Sequence, residues 1–129
     1  MGIDQNNSET YFFDTYAFVE VLNGNKNYEQ YGKNINAITT KMNLLELHYL
    51  ALKEKGERIA DAYFEFFRGM AVEISDDTIK KASLFRNSNR KKKFSYIDCI
   101  GYVMARSRGI KFLTGDNAFK GMEGVEFVK

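Results

Sequence analysis

Short apolar runs alternate with longer amphipathic stretches through most of this chain. The run Tyr11-Phe12-Phe13 is wholly apolar and stops at Asp14, a pattern typical of a buried strand. The same reasoning predicts further strands over residues 35–39, 70–74, 110–114 and 125–128. The pattern therefore predicts five strands.

Apolar residues recur at helical spacing in the intervals between these strands. Met42, Leu45, Tyr49 and Leu52 form one such stripe, and Gly56 marks the end of that helix. Helices are predicted over residues 16–22, 42–55, 57–68, 76–85 and 96–108. Because strands alternate with helices, we predict an α/β fold with a mostly parallel sheet covered by helices on both faces. In such sheets, ligands bind beyond the carboxyl ends of the strands.

The length of 129 residues suits one domain with a substantial core. We expect a loose tail over residues 1–9 and a single domain over residues 10–129. Hydrophobic residues make up 44% and charged residues 28%, which excludes a disordered chain. There are 19 basic and 17 acidic side chains, so a net charge of +2 does not by itself indicate nucleic-acid binding.

The single cysteine, Cys99, rules out an internal disulfide, and with the lone His48 it makes no zinc site. A reducing compartment is the natural expectation. No run approaches the ~18 consecutive apolar residues that a membrane span requires. The polar first nine residues do not resemble a signal peptide. We therefore expect a cytoplasmic protein without membrane association.

Four of the 17 acidic residues do not fit a solvated surface. Asp14 follows the first predicted strand, and Asp116 follows the strand that ends at Thr114, so both are expected at the carboxyl edge of the sheet. Glu46 and Asp98 lie in apolar stretches of predicted helices, where an unpaired carboxylate is costly. One site shared by all four acids explains their placement.

Each of these acids also has a purely structural interpretation. Asp14 is suited to capping the helix that follows it, and Asp116 to a turn in Gly-Asp-Asn. Asp98 completes the Ser-x-x-Asp spacing of a capping box that begins at Ser95. Glu46 is suited to pairing with a buried Lys or Arg. For each acid taken singly both interpretations stay open, whereas the four together favour a shared site.

Four carboxylates gathered at one site repel one another. At a separation of ~5 Å and an effective dielectric constant near 20, each pair costs about 3 kcal/mol. A divalent cation removes that cost, and oxygen ligands without His or Cys favour Mg²⁺ or Mn²⁺ over zinc. Such a site typically activates water and stabilises phosphate oxygens during an in-line displacement.

Taken together, these segments resemble the PIN-domain ribonucleases, and in particular the single-domain VapC-type toxins of prokaryotic toxin–antitoxin pairs. The matching segments are Phe12-Phe13-Asp14-Thr15, Glu46 in a Leu-rich helix, Ser95-Tyr96-Ile97-Asp98 and Leu113-Thr114-Gly115-Asp116. The resemblance covers residues 11–128. The chain departs from it in the polar segment Asn23–Asn34, where the family often has a shorter connection.

The resemblance implies a three-layer α/β/α sandwich with a five-stranded parallel sheet. It also implies an endoribonuclease that depends on Mg²⁺ or Mn²⁺, with Asp14, Glu46, Asp98 and Asp116 as the acidic metal-binding quartet. Thr114 matches the family's hydroxyl residue before the last acid. Family members usually form homodimers and are kept inactive by a small antitoxin. The expected function is therefore hydrolysis of RNA phosphodiester bonds by the toxin of a toxin–antitoxin pair.

A basic cluster precedes the helix that opens at Ser95. Its members are Arg86, Arg90, Lys91, Lys92 and Lys93. We interpret it as an RNA-binding surface, because cations steer phosphates toward an acidic pocket that would otherwise repel them. A solvated loop is the alternative interpretation.

Two other functions are consistent with an α/β chain of this size. A phosphatase of the haloacid-dehalogenase type would use Asp14 as its nucleophile, but it requires a second Asp two residues later, where Tyr16 stands here. A non-catalytic interaction module on the same fold is the other alternative. It leaves a costly carboxylate at Glu46 without a purpose. The sequence favours the ribonuclease.

Overall fold

A four-stranded parallel sheet lies at the centre of the protein in the computed structural model, which describes residues 9–33 and 35–129. Its strands are β1 (Thr10–Phe13), β2 (Asn36–Ile38), β3 (Lys111–Thr114) and β4 (Val125–Phe127), in the order β2-β1-β3-β4. Phe12 of β1 lies opposite Phe112 of β3, so these two central strands end at the same edge. Apart from Glu9, the predicted tail lies outside the described residues.

Five helices connect and cover the strands, and each coincides closely with a predicted one. They are α1 (Thr15–Leu22), α2 (Lys41–Lys55), α3 (Glu57–Phe67), α4 (Asp76–Ser88) and α5 (Tyr96–Arg108). Gly56 separates α2 from α3, and Gly109 ends α5 in the left-handed conformation that glycine tolerates. No helix in the described ranges is long and apolar enough to cross a membrane.

The alternating side chains of the strands separate two apolar layers. Tyr11 and Phe13 of β1 pack in a cluster with α1 and α2, together with Phe67 at the end of α3. Phe12, between them, packs in a second cluster with Phe112 of β3 and with α4 and α5. The predicted three-layer α/β/α arrangement is therefore confirmed.

The predicted fifth strand over residues 70–74 is reduced to a single bridge. Thr39 pairs in parallel with Ala71, with the Thr39 N–H donating to the Met70 carbonyl at 3.0 Å and the Val72 N–H donating to the Thr39 carbonyl at 2.9 Å. The ladder cannot extend because Thr40 already caps α2. A 3₁₀ turn through Met70 precedes the bridge on the other side. The sheet therefore has four strands, not five.

Helix α2 presents a different face to the core from the apolar stripe identified in its sequence. The stripe residues are exposed, with Leu45 and Tyr49 both at 55%. The buried residues of α2 are Asn43, Leu44, Leu47 and Ala51. Asn43 tolerates burial because its side-chain amide is hydrogen-bonded to the hydroxyls of Thr40 and Thr15. A helix apolar on two sides does not reveal from sequence which side is buried.

The polar segment that departs from the family pattern contains two buried tyrosines that hydrogen-bond to the end of the chain at β4. Residues Lys26–Gly32 make a 3₁₀ helix in which Tyr28 and Tyr31 are buried. The Tyr28 hydroxyl donates to the Val128 carbonyl at 2.5 Å, and the Tyr31 hydroxyl donates to Glu126 Oε2 at 2.6 Å. These two hydrogen bonds therefore join the connection between α1 and β2 to β4 and the residue that follows it.

At Gly101, helix α5 lies close against the side chains of the sheet. A Cβ atom at this position would lie 2.8 Å from Cε1 of Phe12 and 3.1 Å from Cε1 of Phe112. These two rings are stacked, with centroids 5.7 Å apart. The glycine therefore admits two phenylalanine rings of the core.

Candidate active site

A cleft of about 400 Å³ opens at the carboxyl edge of the sheet, where α1, α2 and α5 begin. The structure brings the four acids of the sequence prediction to its wall: Asp14, Glu46, Asp98 and Asp116. They come from four different segments, so the fold assembles them. Thr15, Tyr16, Val19, Glu20, Leu50 and Ser95 complete the lining.

Asp14 is the most buried of the four acids, with 4% of its surface exposed. It caps α1, because its Oδ1 accepts from the Thr15 N–H at 2.9 Å. Its Oδ2 accepts from the Thr114 hydroxyl at 2.7 Å. Burial raises the pKa of Asp14 to about 7, and the nearby carboxylates of Asp98 and Glu46 act in the same direction, while the two hydrogen bonds oppose it.

Thr114 joins the ends of the two central strands. Its hydroxyl donates to Asp14 and also accepts from the Asp116 N–H at 3.1 Å. Asp116 in turn accepts from the Ala118 N–H at 3.0 Å and caps a short 3₁₀ turn. The side chain of Thr114 therefore holds Asp14 and the backbone of Asp116 in a fixed relation.

Asp98 completes the predicted capping box at the start of α5. Its Oδ2 accepts from the Ser95 N–H at 2.9 Å, and the Ser95 hydroxyl accepts from the Asp98 N–H at 3.0 Å. Burial raises the pKa of Asp98, the Ser95 bonds lower it, and Asp116 and Glu46 raise it further. Asp14, Asp98 and Asp116 thus all act as caps while also facing one cleft, so the structural and functional interpretations are compatible.

Glu46 is the acid without a structural partner. It is half-buried on α2, and it makes no hydrogen bond or ion pair with any residue that the structure describes. No Lys or Arg in the described part of the chain therefore pairs with Glu46. The buried bond from Asn43 Nδ2 to Thr15 Oγ1, at 3.1 Å, joins α2 to α1 one turn before Glu46 and fixes its position.

The chemistry of this donor set fits a hard divalent cation. The four acids offer only oxygen ligands, and the raised pKa of Asp14 reflects a desolvated, mutually repelling cluster that a cation would relieve. Within residues 9–33 and 35–129, no three His, Cys, Asp or Glu side chains converge closely enough to enclose an ion. An ion in this cleft would therefore have few direct protein ligands and would complete its coordination with water, as Mg²⁺ does in proteins.

The sequence pattern of the PIN domain family matches residues 11–125 of the chain. The chain belongs to the PIN domain family. No curated protein matches its sequence significantly.

Solved structures share the fold of this PIN domain. VapC20 from Mycobacterium tuberculosis, a sarcin–ricin loop cleaving toxin, is 18% identical over 92% of this chain and 99% of its own, with a TM-score of 0.78. VapBC from Salmonella typhimurium, solved bound to DNA, is 17% identical over 92% and 96%, with a TM-score of 0.72. VapBC2 from Rickettsia felis, bound to a promoter DNA fragment, is 18% identical over 93% and 99%, with a TM-score of 0.71.

The basic cluster lies beside the cleft of the PIN domain. Arg90–Lys92 form a 3₁₀ turn, and Lys93 follows in the left-handed conformation with φ of 57°. Lys92 Nζ donates to the Ala118 carbonyl at 3.0 Å, next to the turn that Asp116 caps. All five basic side chains are exposed, and none forms an ion pair with an acid in the described part of the chain. Arg86 belongs to the last turn of α4, which continues to Ser88, beyond the predicted end at residue 85.

Glu20 is a cleft residue of the PIN domain that the sequence argument missed. It lines the cleft from α1, and its Oε1 accepts from Asn25 Nδ2 at 2.7 Å. Tyr16, one turn earlier on the same helix, also lines the cleft. A helix that starts at the carboxyl edge presents one face of its first turns to the site, so the spacing of Tyr16 and Glu20 was the available signal.

Cys99 and His48 lie in environments that exclude a nucleophile and its base. Cys99 is buried on the core-facing side of α5, and burial raises the pKa of its thiol to about 11. His48 lies between α2 and α3, where its Nε2 is 2.7 Å from Asp61 Oδ1. Cys99 is therefore a packing residue of the core, and His48 contacts an exposed acid on the neighbouring helix.

Proposed function

We propose that this PIN-domain protein is an endoribonuclease that hydrolyses RNA phosphodiester bonds with the help of Mg²⁺ or Mn²⁺. The convergence of Asp14, Glu46, Asp98 and Asp116 on one cleft is the observation that carries the proposal. Membership of the PIN family and the unpaired cations beside the cleft support it. An RNA backbone approaching an acidic cleft needs such cations to offset repulsion.

The residues of the cleft have separate parts in this proposal. Asp14 is buried and held by two hydrogen bonds, so it provides a fixed ligand at the base of the cleft. Glu46, Asp98 and Asp116 are half-buried and would complete the ligand set from the cleft wall. Thr114 orients Asp14. The bound ion would supply an activated water and stabilise the phosphate oxygens.

The direct test is cleavage of a mixed pool of single-stranded RNAs by the purified protein. We expect cleavage with Mg²⁺ or Mn²⁺, loss of cleavage in EDTA, and a loss of several orders of magnitude in Asp98→Asn. Asp77→Asn is the matched control, because Asp77 is an exposed acid on α4 that pairs with Lys81 at 3.0 Å. Cleavage by Asp98→Asn at the rate of Asp77→Asn would contradict the proposal.

We also propose that the protein is the toxin of a toxin–antitoxin pair, acts as a homodimer and works in the cytoplasm. The similarity of its fold to VapBC complexes supports an antitoxin partner. An RNA substrate and a lone unpaired cysteine both suit a reducing compartment. Growth arrest on expression, relieved by the small protein encoded beside it, is the expected result. Light scattering of the purified chain measures its oligomeric state.

The phosphatase alternative makes a different prediction for the same residue. If Asp14 were a nucleophile, p-nitrophenyl phosphate would be hydrolysed and Asp14 would become phosphorylated. Asp14 is buried with both carboxylate oxygens engaged in hydrogen bonds, which opposes attack on a substrate. We therefore expect no turnover of this compound.

A further inference from the structure

Tyr96 and Arg86 form an exposed pair beside the acidic cleft. Tyr96 is the first residue of α5, and 70% of its surface is exposed. The guanidinium carbon of Arg86 lies 4.4 Å from the centre of the Tyr96 ring. Arg86 is anchored there, because its Nε donates to the Phe94 carbonyl at 3.0 Å. The pair is therefore an ordered surface feature.

Packing in the hydrophobic core does not explain why Tyr96 and Arg86 are paired. The aromatic residues nearest in sequence, Phe94 and Phe85, stack on each other in the core with centroids 5.6 Å apart. Tyr96 instead points its ring into solvent with a cation on it. Such an arrangement combines a flat stacking surface with a positive charge, which are the two elements that bind a nucleotide of a single strand.

The position of the pair connects it to both charged regions. Ser95, the residue before Tyr96, lines the acidic cleft together with Asp98. On the other side, the exposed cations of the turn at residues 90–93 lead up to it. Along the chain, Tyr96 therefore lies between the basic turn and Asp98, the cleft acid that follows it.

We propose that Tyr96 and Arg86 form a base-stacking subsite for a nucleotide of single-stranded RNA next to the phosphate in the acidic cleft. The base stacks on the Tyr96 ring, and the Arg86 guanidinium faces the neighbouring phosphate. This inference rests on the proposed ribonuclease function. It assigns Tyr96 as a binding residue and gives it no part in bond breaking.

The test measures the binding of ten-nucleotide RNAs in EDTA, each with 2-aminopurine at a different position. A base that stacks on tyrosine loses 2-aminopurine fluorescence. We expect quenching at one position with the wild type and with Tyr96→Phe, and none with Tyr96→Ala. The affinity should fall about 10-fold in Tyr96→Ala, which corresponds to the loss of one stacked base.

Tyr49→Ala is the matched control, because Tyr49 is 55% exposed and has Lys53 Nζ 4.8 Å from its ring centre on α2. It should leave affinity and quenching unchanged. Equal binding by Tyr96→Ala and Tyr49→Ala, or no binding of RNA by the wild type, would overturn the subsite. A lower melting temperature of Tyr96→Ala with unchanged RNA binding would show that the pair only stabilises the start of α5.

The two proposals fail separately. If the wild type binds the RNAs with Tyr96-dependent quenching but cleaves none with Mg²⁺ or Mn²⁺, the subsite stands and the ribonuclease proposal fails. If the wild type cleaves RNA and Tyr96→Ala has the KM and quenching of the wild type, the ribonuclease proposal stands and the subsite fails. A raised KM with unchanged kcat in Tyr96→Ala supports both.

Discussion

The hydroxyl of Thr114 donates a 2.7 Å hydrogen bond to the carboxylate of Asp14, 100 residues earlier in the chain. The same oxygen accepts from the Asp116 N–H. Thr114 is fully buried, so water cannot replace it at either contact. One side chain therefore fixes the distance between the two strand ends that carry the cleft.

Replacement of Thr114 tests this link. Thr114→Val keeps the shape and removes the hydroxyl, which leaves a buried carboxylate oxygen and a backbone N–H without partners. We expect it to lower the free energy of unfolding by about 1–3 kcal/mol, whereas Thr114→Ser should retain most of the stability. Urea denaturation measures the difference. Equal midpoints for Val and wild type would show that the hydroxyl makes no net contribution.

The raised pKa of Asp14 makes the metal-free protein sensitive to pH. The unfolded chain releases the Asp14 proton near its ordinary pKa of 3.8, whereas the folded protein retains it up to about 7. The free energy of unfolding therefore decreases as pH rises through this interval and levels off above it. At about 1.4 kcal/mol per pKa unit, the decrease due to Asp14 is at most about 4 kcal/mol.

Asp14→Asn is the control for that pH dependence, because an asparagine can still cap α1 but does not titrate. The difference between the denaturation profiles of wild type and variant in EDTA isolates the contribution of Asp14. We expect the variant to gain stability relative to the wild type between pH 4 and 7. Parallel profiles would place the pKa of Asp14 near its ordinary value.

A divalent cation should stabilise the folded protein, because it binds the assembled cleft and not the unfolded chain. We expect millimolar Mg²⁺ or Mn²⁺ to raise the melting temperature above that in EDTA with NaCl at matched ionic strength. Asp98→Asn should melt at least as high as wild type without metal, because carboxylate repulsion falls, and should respond less to metal. A lower metal-free melting temperature with a full metal response would make Asp98 a capping residue only.

The basic turn should contribute to the salt dependence of RNA binding. Replacing Lys91 and Lys93 with Ala removes two exposed cations and spares Lys92, which is bonded to the Ala118 carbonyl. For two single-strand phosphate contacts, the slope of log affinity against log salt should flatten by about 1.4. The control replaces Lys53 and Lys55, roughly 10–14 Å along α2 from Glu46. Equal slopes for both double variants would show that the basic cluster is a solvated loop that does not contact RNA.

Gly101 tests the packing of α5 on the sheet. An alanine normally favours a helix over glycine by about 1 kcal/mol. At Gly101 the new methyl would contact the rings of Phe12 and Phe112, so we expect a net loss of about 1–3 kcal/mol. Gly69→Ala, where no atom lies within 4 Å of the new methyl, is the control. A stabilised Gly101→Ala would show that the rings move aside.

The sequence was sufficient to identify features that depend on local spacing. The helix ends at Gly56 and Gly109 and the capping box at Ser95 follow from residues close together in the chain. The placement of Asp14 and Asp116 at one edge needed only the rule for parallel sheets. These predictions are confirmed as positions in the fold, and the catalytic roles stay predictions.

Features that depend on tertiary contacts were not predictable in the same way. The segment near Ala71 has the composition of a strand, but within the described residues it forms only the bridge to Thr39. The buried side of α2 depends on the hydroxyls of Thr40 and Thr15, which satisfy Asn43 from outside the helix. Local propensity does not predict such pairing or burial, because both depend on residues that are distant in sequence.

The central position of β1 also constrains when the cleft can form during synthesis. Its neighbour β3 and the hydroxyl that holds Asp14 are translated 100 residues after Asp14 itself. A nascent chain that stops before Lys111 has neither the complete acid set nor the strand that orients it, and one that stops before Asp116 still lacks the last acid. Under the proposed function, the ribosome and the messenger that encode this protein therefore face no assembled nuclease until translation has passed the last acid.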